Sequence, residues 1–191
     1  MKKILLFSLL ITISLAPMVF AQSSDPGACD INRAVFNNDL DKIKRFLDAG
    51  HDVNGRCQDK TPLLAACELL GTPKGGEQTA KVIQFLLERG ADPNVQDNLG
   101  ETPLTKIVKS AAYSPGKSDA VVLEVFGFLL DKGADVKIKD KQGKTALQMG
   151  LTHHNKTISD YFSAYLEREK QATEQPKPAG VTDAARNDQR K

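Results

Sequence analysis

Few residues in this chain are of types that do chemistry. It has three histidines, His51, His153 and His154, and three cysteines, Cys29, Cys57 and Cys67. A zinc site wants four convergent ligands at suitable spacing, and no Cys/His cluster supplies them. His153 and His154 are adjacent in "LTHHN", which reads equally well as a tight turn between helices. The stretch "GTPKGGEQT" at 71–79 has the glycines of a phosphate loop. It lacks the GxxxxGK[ST] order and any preceding strand, so it reads as an inserted loop. There is no GxSxG and no HExxH. The many Asp and Glu residues alternate with Lys on prospective helix faces, the usual solvated arrangement, and no two of them stand out as acid and base. The expectation is a protein with no catalytic residue, no metal and no cofactor.

The chain has 191 residues, 40% of them apolar, enough for one modest core or a short repeat array. Residues 1–21 read as a signal peptide. Lys2 and Lys3 make a positive start, Ile4 to Ala16 an apolar run, and Val19 and Ala21 a small-residue cleavage pattern before Gln22. The run is too short for a membrane span, and no Cys directly follows the cleavage point to take a lipid. The mature chain is therefore expected to be exported, periplasmic and free of the membrane. Without Lys2 and Lys3, the 26 basic residues fall to 24 against 24 acidic ones. A chain of net charge near zero has no electrostatic footprint for nucleic acid.

Two segments are nearly the same, "LLERGADPN" at 86–94 and "LLDKGADVK" at 129–137, and "FLDAGHDVN" at 46–54 is a weaker copy. Ahead of them stand "TPLLAAC", "TPLTKIV" and "TALQMGL", beginning at Thr61, Thr102 and Thr145. The segments between carry apolar residues at helical spacing, and Gly50, Gly90 and Gly133 sit where a helix must end in a left-handed turn. The unit is helix, turn, helix, long turn, written in tandem.

On these motifs the chain resembles the ankyrin repeat family over residues 29–166. The resemblance implies an all-α solenoid of about four helix-turn-helix repeats, with the repeat domain at 29–169, a linker at 22–28 and a disordered polar tail at 170–191. The distance from the opening Thr slot to the closing Gly is 21 residues from Cys29 to Gly50, but 29 from Thr61 to Gly90 and 31 from Thr102 to Gly133. Repeats two and three are therefore expected to have enlarged loops between their helices, around "GTPKGGEQ" and "YSPGKSD", forming a joint ridge near Lys74–Gln78 and Ser114–Ser118. The histidine of the family's TPLH turn is replaced by Asn32, Leu64, Thr105 and Gln148, which implies a looser array.

Placed on that scaffold, Cys67 takes a small buried slot of an inner helix. Cys29 precedes the first helix, and Cys57 lies in the turn entering repeat two, at the same end. A Cys29–Cys57 disulfide is expected there, worth roughly 3–4 kcal/mol on the chain-entropy model. The other two pairings stay open.

The resemblance implies protein–protein interaction as the function, by a monomer binding an exported partner in an accessory or immunity-type role. The alternative is an enzyme with a site built from the inserted loops. A repeat array binds through its concave face. Its exposed slots are expected to be Phe36, Asn37, Glu68, Leu69, Lys109, Ser110, Thr152 and His153 on inner helices. The turn tips add Asn98, Leu99, Glu101, Lys141, Gln142 and Lys144. For Phe36 and Leu69, packing under the neighbouring repeat is the competing reading.

The export reading makes one expectation directly measurable. Intact mass of the protein recovered from the periplasm should correspond to a chain starting at Gln22 without lipid; a full-length or acylated mass would refute cleavage after Ala21.

Overall fold

The computed structural model describes residues 26–111 and 119–174. Eight helices make four antiparallel pairs: α1 (Pro26–Phe36) with α2 (Leu40–Asp48), α3 (Pro62–Leu70) with α4 (Glu77–Glu88), α5 (Pro103–Ala111) with α6 (Asp119–Asp131), and α7 (Ala146–Leu151) with α8 (Lys156–Glu174). The inner helices stack in the order α1, α3, α5, α7, and behind them α4, α6 and α8 form an outer row. No strand occurs among the described residues, only isolated bridges at Cys57–Lys60 and Lys139–Thr145 that mark the hairpin turns. One continuous core runs between the rows, with Ile31, Ile43, Leu63, Leu70, Ile83, Leu86, Ile107, Phe126 and Phe162 all fully buried.

The repeated sequence words have local physical causes. Thr61, Thr102 and Thr145 cap the inner helices, their hydroxyls accepting from the backbone N–H of Leu64, Thr105 and Gln148. Pro62 and Pro103 then occupy the first helical position, where no N–H is needed. Each outer helix but the last ends in a Schellman motif. At Gly90 the backbone has φ 88°; Gly90 N–H reaches Leu87 O and Ala91 N–H reaches Leu86 O. Gly133 repeats this geometry, its N–H reaching Leu130 O and Ala134 N–H reaching Leu129 O. At the C-terminal end, Gly150 lets α7 approach α8 closely: a Cβ there would lie 2.2 Å from the Phe162 ring.

The extra residues of the second unit are shared between loop and helix, and the third unit's outer helix is longer too. The segment joining α3 and α4 spans 71–76, against 37–39 in the first pair, but α4 has 12 residues and α6 has 13 where α2 has 9. Glu77 and Gln78, expected in the loop, begin α4 instead, because nothing after Gly76 breaks a helix. The proposed counterpart, Ser114–Ser118, lies outside the described residues, as do the expected signal peptide and cleavage point and residues 175–191. Two boundaries also shift. α1 starts at Pro26, inside the expected linker, since Pro is well suited to a helix start. α8 runs through Lys170 to Glu174, since "KQATE" contains no helix breaker.

Consecutive pairs are joined by a hydrogen-bonded clamp. The Asn54 amide donates to Gly90 O at 3.1 Å and accepts from Asp92 N–H at 2.8 Å. One unit on, Asn94 donates to Gly133 O at 2.9 Å and accepts from Asp135 N–H at 2.7 Å. Each asparagine closes one unit and grips the helix end of the next. The third copy has Lys137 at this position, and among the described residues no glycine-closed turn follows α8. Replacing Asn94 with Ala should destabilise the chain by about 1–2 kcal/mol in urea unfolding. Lys137→Asn should stay within about 0.5 kcal/mol of wild type. Equal effects of the two changes would show that the clamp is not what matters at this position.

Candidate functional site

The hairpin turns present the candidate residues, and an aspartate shapes two of them. The Asp97 carboxylate accepts from Leu99 N–H at 2.8 Å and Glu101 N–H at 2.9 Å, and Asp140 accepts from Gln142 and Lys144 N–H, both at 2.9 Å. Successive tips are tied to one another, Lys141 N–H donating to Leu99 O at 2.9 Å. The turn entering the second pair is one residue shorter and has Cys57 where the later turns have Asp97 and Asp140. There Cys57 exchanges backbone bonds with Lys60, and a disulfide joins Cys57 to Cys29, with Cα atoms 4.7 Å apart. Cys67 is a free, fully buried thiol, and burial pushes its pKa far up, so it is inert.

Beneath the last two tips lies a charge cluster that the alternation of Lys and acid does not reveal. Lys106 contacts Asp97 at 2.7 Å and Glu101 at 2.8 Å; Lys109 contacts Glu101 and, at 3.3 Å, Asp140. The side chains of Asp97 and Asp140 are only 2% and 1% exposed. Desolvation pushes all three carboxyls up, but the lysine ion pairs, joined at both aspartates by backbone N–H bonds, outweigh it and hold them below the usual carboxylate range. Desolvation pushes Lys106 and Lys109 down, and their acidic partners more than restore them, leaving both above the usual lysine value.

These facts correct two expected contact residues. Glu101 is 6% exposed, because its turn aims the carboxylate inward at Lys106 and Lys109. Leu69 is 3% exposed, because α3 is flanked by α1 on one side and α5 on the other. Lys109 keeps a third of its side chain in water but is committed to Glu101 and Asp140. Ser110 is half-buried and donates to Ile107 O. His153 is held by Val108 O and Asn155 N–H, while Thr152 is exposed and donates back to its own helix. No group of three or more His, Cys, Asp or Glu among the described residues could hold a metal.

The remaining candidates form two surfaces. At the first junction Phe36 is 55% exposed. It borders a groove of about 290 Å³ lined also by Ala65, Leu69, Gln58 and the disulfide's Cys57. Glu68 stands in its wall, paired with Lys60 at 2.6 Å. Asn32 crosses the junction to Lys60 O at 3.0 Å, so here the amide supplies an inter-turn bond from the slot of the family's histidine. Its Oδ1 is the one buried side-chain atom without a partner among the described residues. The inserted segment reaches this groove too. Lys74 Nζ lies 4.6 Å from the Phe36 ring centroid, and Asn38 holds Lys74 O. Asn37, beside Phe36, is exposed. The second surface is the row of tips, where Asn98, Leu99, Lys141, Gln142 and Lys144 are all exposed, Leu99 by 59%.

The ankyrin repeat family model matches residues 58–98, which span the second helix pair, its entering turn and the turn that follows. The match supports an ankyrin repeat protein, a class whose repeats generally mediate protein–protein interaction. No helix among the described residues is long and apolar enough to cross a membrane.

The charge cluster sets a pH dependence. Carboxyls held below their unfolded values contribute stability above about pH 4, and lose it as pH falls through the folded values. Raised lysines contribute below about pH 10 and lose it above. Urea midpoints should thus be flat across neutral pH and fall below about pH 4. Lys106→Met should cost about 3–5 kcal/mol at pH 7 by leaving buried Asp97 without a cation and Glu101 with Lys109 alone, and should shrink the acid loss. An unchanged acid limb in that variant would show that the cluster does not set it.

Proposed function

We propose that the four helix pairs are repeats of one ankyrin-type array, exported to the periplasm, which works as a non-enzymatic monomer by binding an exported partner protein. The observation that carries the reading is Phe36, a large aromatic left half in water beside a groove on the inner-helix face. Aromatic side chains in such positions supply much of the energy of protein interfaces, through apolar area buried at small entropic cost. Its surroundings suit a partner rather than the array's own packing: the ring is open on one side, touched by Lys74 on another, and rimmed by the Lys60–Glu68 pair. Glu68, Asn37 and the Phe36 ring are the contacts assigned to this end of the concave face, with Ser110 continuing it. The Cys29–Cys57 disulfide supports an oxidising compartment. Accessory and immunity-type roles both fit this surface.

The test is affinity capture from periplasmic extract with wild type and Phe36→Ala side by side. Truncating a central aromatic anchor should weaken capture of the partner by roughly thirtyfold, about 2 kcal/mol, without unfolding the chain. A variant that retains the partner at wild-type strength would move recognition off this groove.

A further inference from the structure

Charge at the last two hairpin tips is sorted by direction. The acids of these turns, Asp97, Glu101 and Asp140, face inward, where Lys106 and Lys109 and the turn's own N–H groups occupy them. The lysines of the final hairpin face outward. Lys139, Lys141 and Lys144 are exposed, and none has a carboxylate partner among the described residues. All three sit on one hairpin closed by the Lys139–Thr145 pairing, and the adjoining tip, bonded to it through Lys141 N–H, carries the 59%-exposed Leu99. A protein whose 26 basic and 24 acidic residues nearly balance has here an exposed apolar side chain on the tip adjoining three lysines that no carboxylate pairs among the described residues.

We infer that this tip docks an acidic segment of a partner protein, one that sets an apolar side chain against Leu99 and carboxylates against Lys139, Lys141 and Lys144. Like charges held this close repel one another across less than about a Debye length, and an acidic partner relieves that repulsion as it binds. Leu99 excludes a purely electrostatic ligand, because a polyanion leaves it in water. Three lysines on a nearly neutral chain are also too few to hold a nucleic-acid backbone or an anionic bilayer stably at physiological salt. The tip also offers structural preorganisation: Asp97 and Asp140 fix both turns by side-chain bonds to their backbone, so little order is lost on docking. The inference rests on the protein-binding reading but concerns a surface separate from the Phe36 groove.

Random twelve-residue peptides displayed on phage and selected against the oxidised full chain would decide it, with enriched peptides then measured by calorimetry at low and moderate salt. Enriched peptides should be net acidic with at least one large apolar residue, and should bind more weakly as salt rises. Their affinity should fall on the order of tenfold in the triple variant Lys139→Gln, Lys141→Gln, Lys144→Gln, and comparably in Leu99→Ala. Phe36→Ala should leave them unchanged, and circular dichroism checks that each variant is folded. Peptides without acidic bias, acidic peptides indifferent to the triple variant, or an empty selection would each overturn the inference. Peptides lost only in Phe36→Ala would overturn it while upholding the groove. Vesicles of phosphatidylglycerol bound through the same lysines as tightly as the peptides would overturn it in favour of a lipid surface.

Discussion

Asn54 and Asn94 impose the constraint on which the rest of this array depends. A helix pair of this size cannot bury its apolar face alone, so each must be held against the next in one register. The turns that do the holding run over the surface, where backbone N–H and C=O groups have no ladder to join. An asparagine side chain presents one donor and one acceptor in a fixed plane, and it matches the Gly90 carbonyl and Asp92 amide of the following turn at once. The same match recurs at Gly133 and Asp135. A parallel bond is made by the residue before each hairpin: Arg56 donates to Gln96 O, and Gln96 to Lys139 O. With register fixed this way, the hairpin tips fall into a row and the inner helices into one concave face.

Each junction then adds a different lock suited to what its sequence lacks. The first turn has Cys57 in place of the amide-gathering aspartate, and Gln58 adopts a left-handed φ of 59°, so a covalent link to Cys29 holds it. The junction of the third and fourth units is locked by buried charge, with Lys109 reaching from α5 to Asp140 of the next turn. The last pair closes on aromatic packing, with Phe126 edge-on to Phe162 at 5.3 Å and Gly150 admitting the ring. These locks fail under different conditions, so reductant should loosen the array from its first pair, and acid or loss of apolar contact from its last.

Much of this was legible because it is local. The Thr-Pro openings and the closing glycines are demands of helix caps, and caps are written within four residues. The disulfide followed once those caps placed Cys29 and Cys57 at one end. What escaped sequence reading is non-local. Lys106 and Lys109 at i, i+3 behind an acidic turn look like an ordinary solvated stripe; in the fold Lys106 sits on Asp97 and Glu101, and Lys109 reaches Asp140, 31 residues on. Glu101 turns inward onto the same lysines, and Leu69, for which packing under the neighbouring repeat is the competing reading, is covered by its flanking helices. The asparagine clamp did leave a signal, the Asn of "HDVN" and "DPN" against the Lys of "DVK", but its meaning needs the neighbouring unit in view. The split of the insertions between loop and longer outer helices was hidden by glycines and a proline, which mark a break without saying where the next helix begins.

The locks also determine where recognition can occur. Glu101 and Lys109, midway along the concave side, spend their charge on the fold, and Leu69 spends its apolar area there too. Withdrawing them from the surface divides it into the Phe36 groove near the disulfide and the Leu99 tip near the last hairpin. The first is an open apolar hollow, and the second a convex point ringed by cations; the two demand different chemistry of whatever touches them. Because the asparagine clamps fix the units between, a partner that reached both would be selected by the spacing of its own aromatic-binding and acidic segments, and not only by their composition. Two modest contacts joined rigidly in this way gain affinity from effective concentration without either being strong alone. That is consistent with surfaces as small as one exposed phenylalanine and one exposed leucine serving an array of this length.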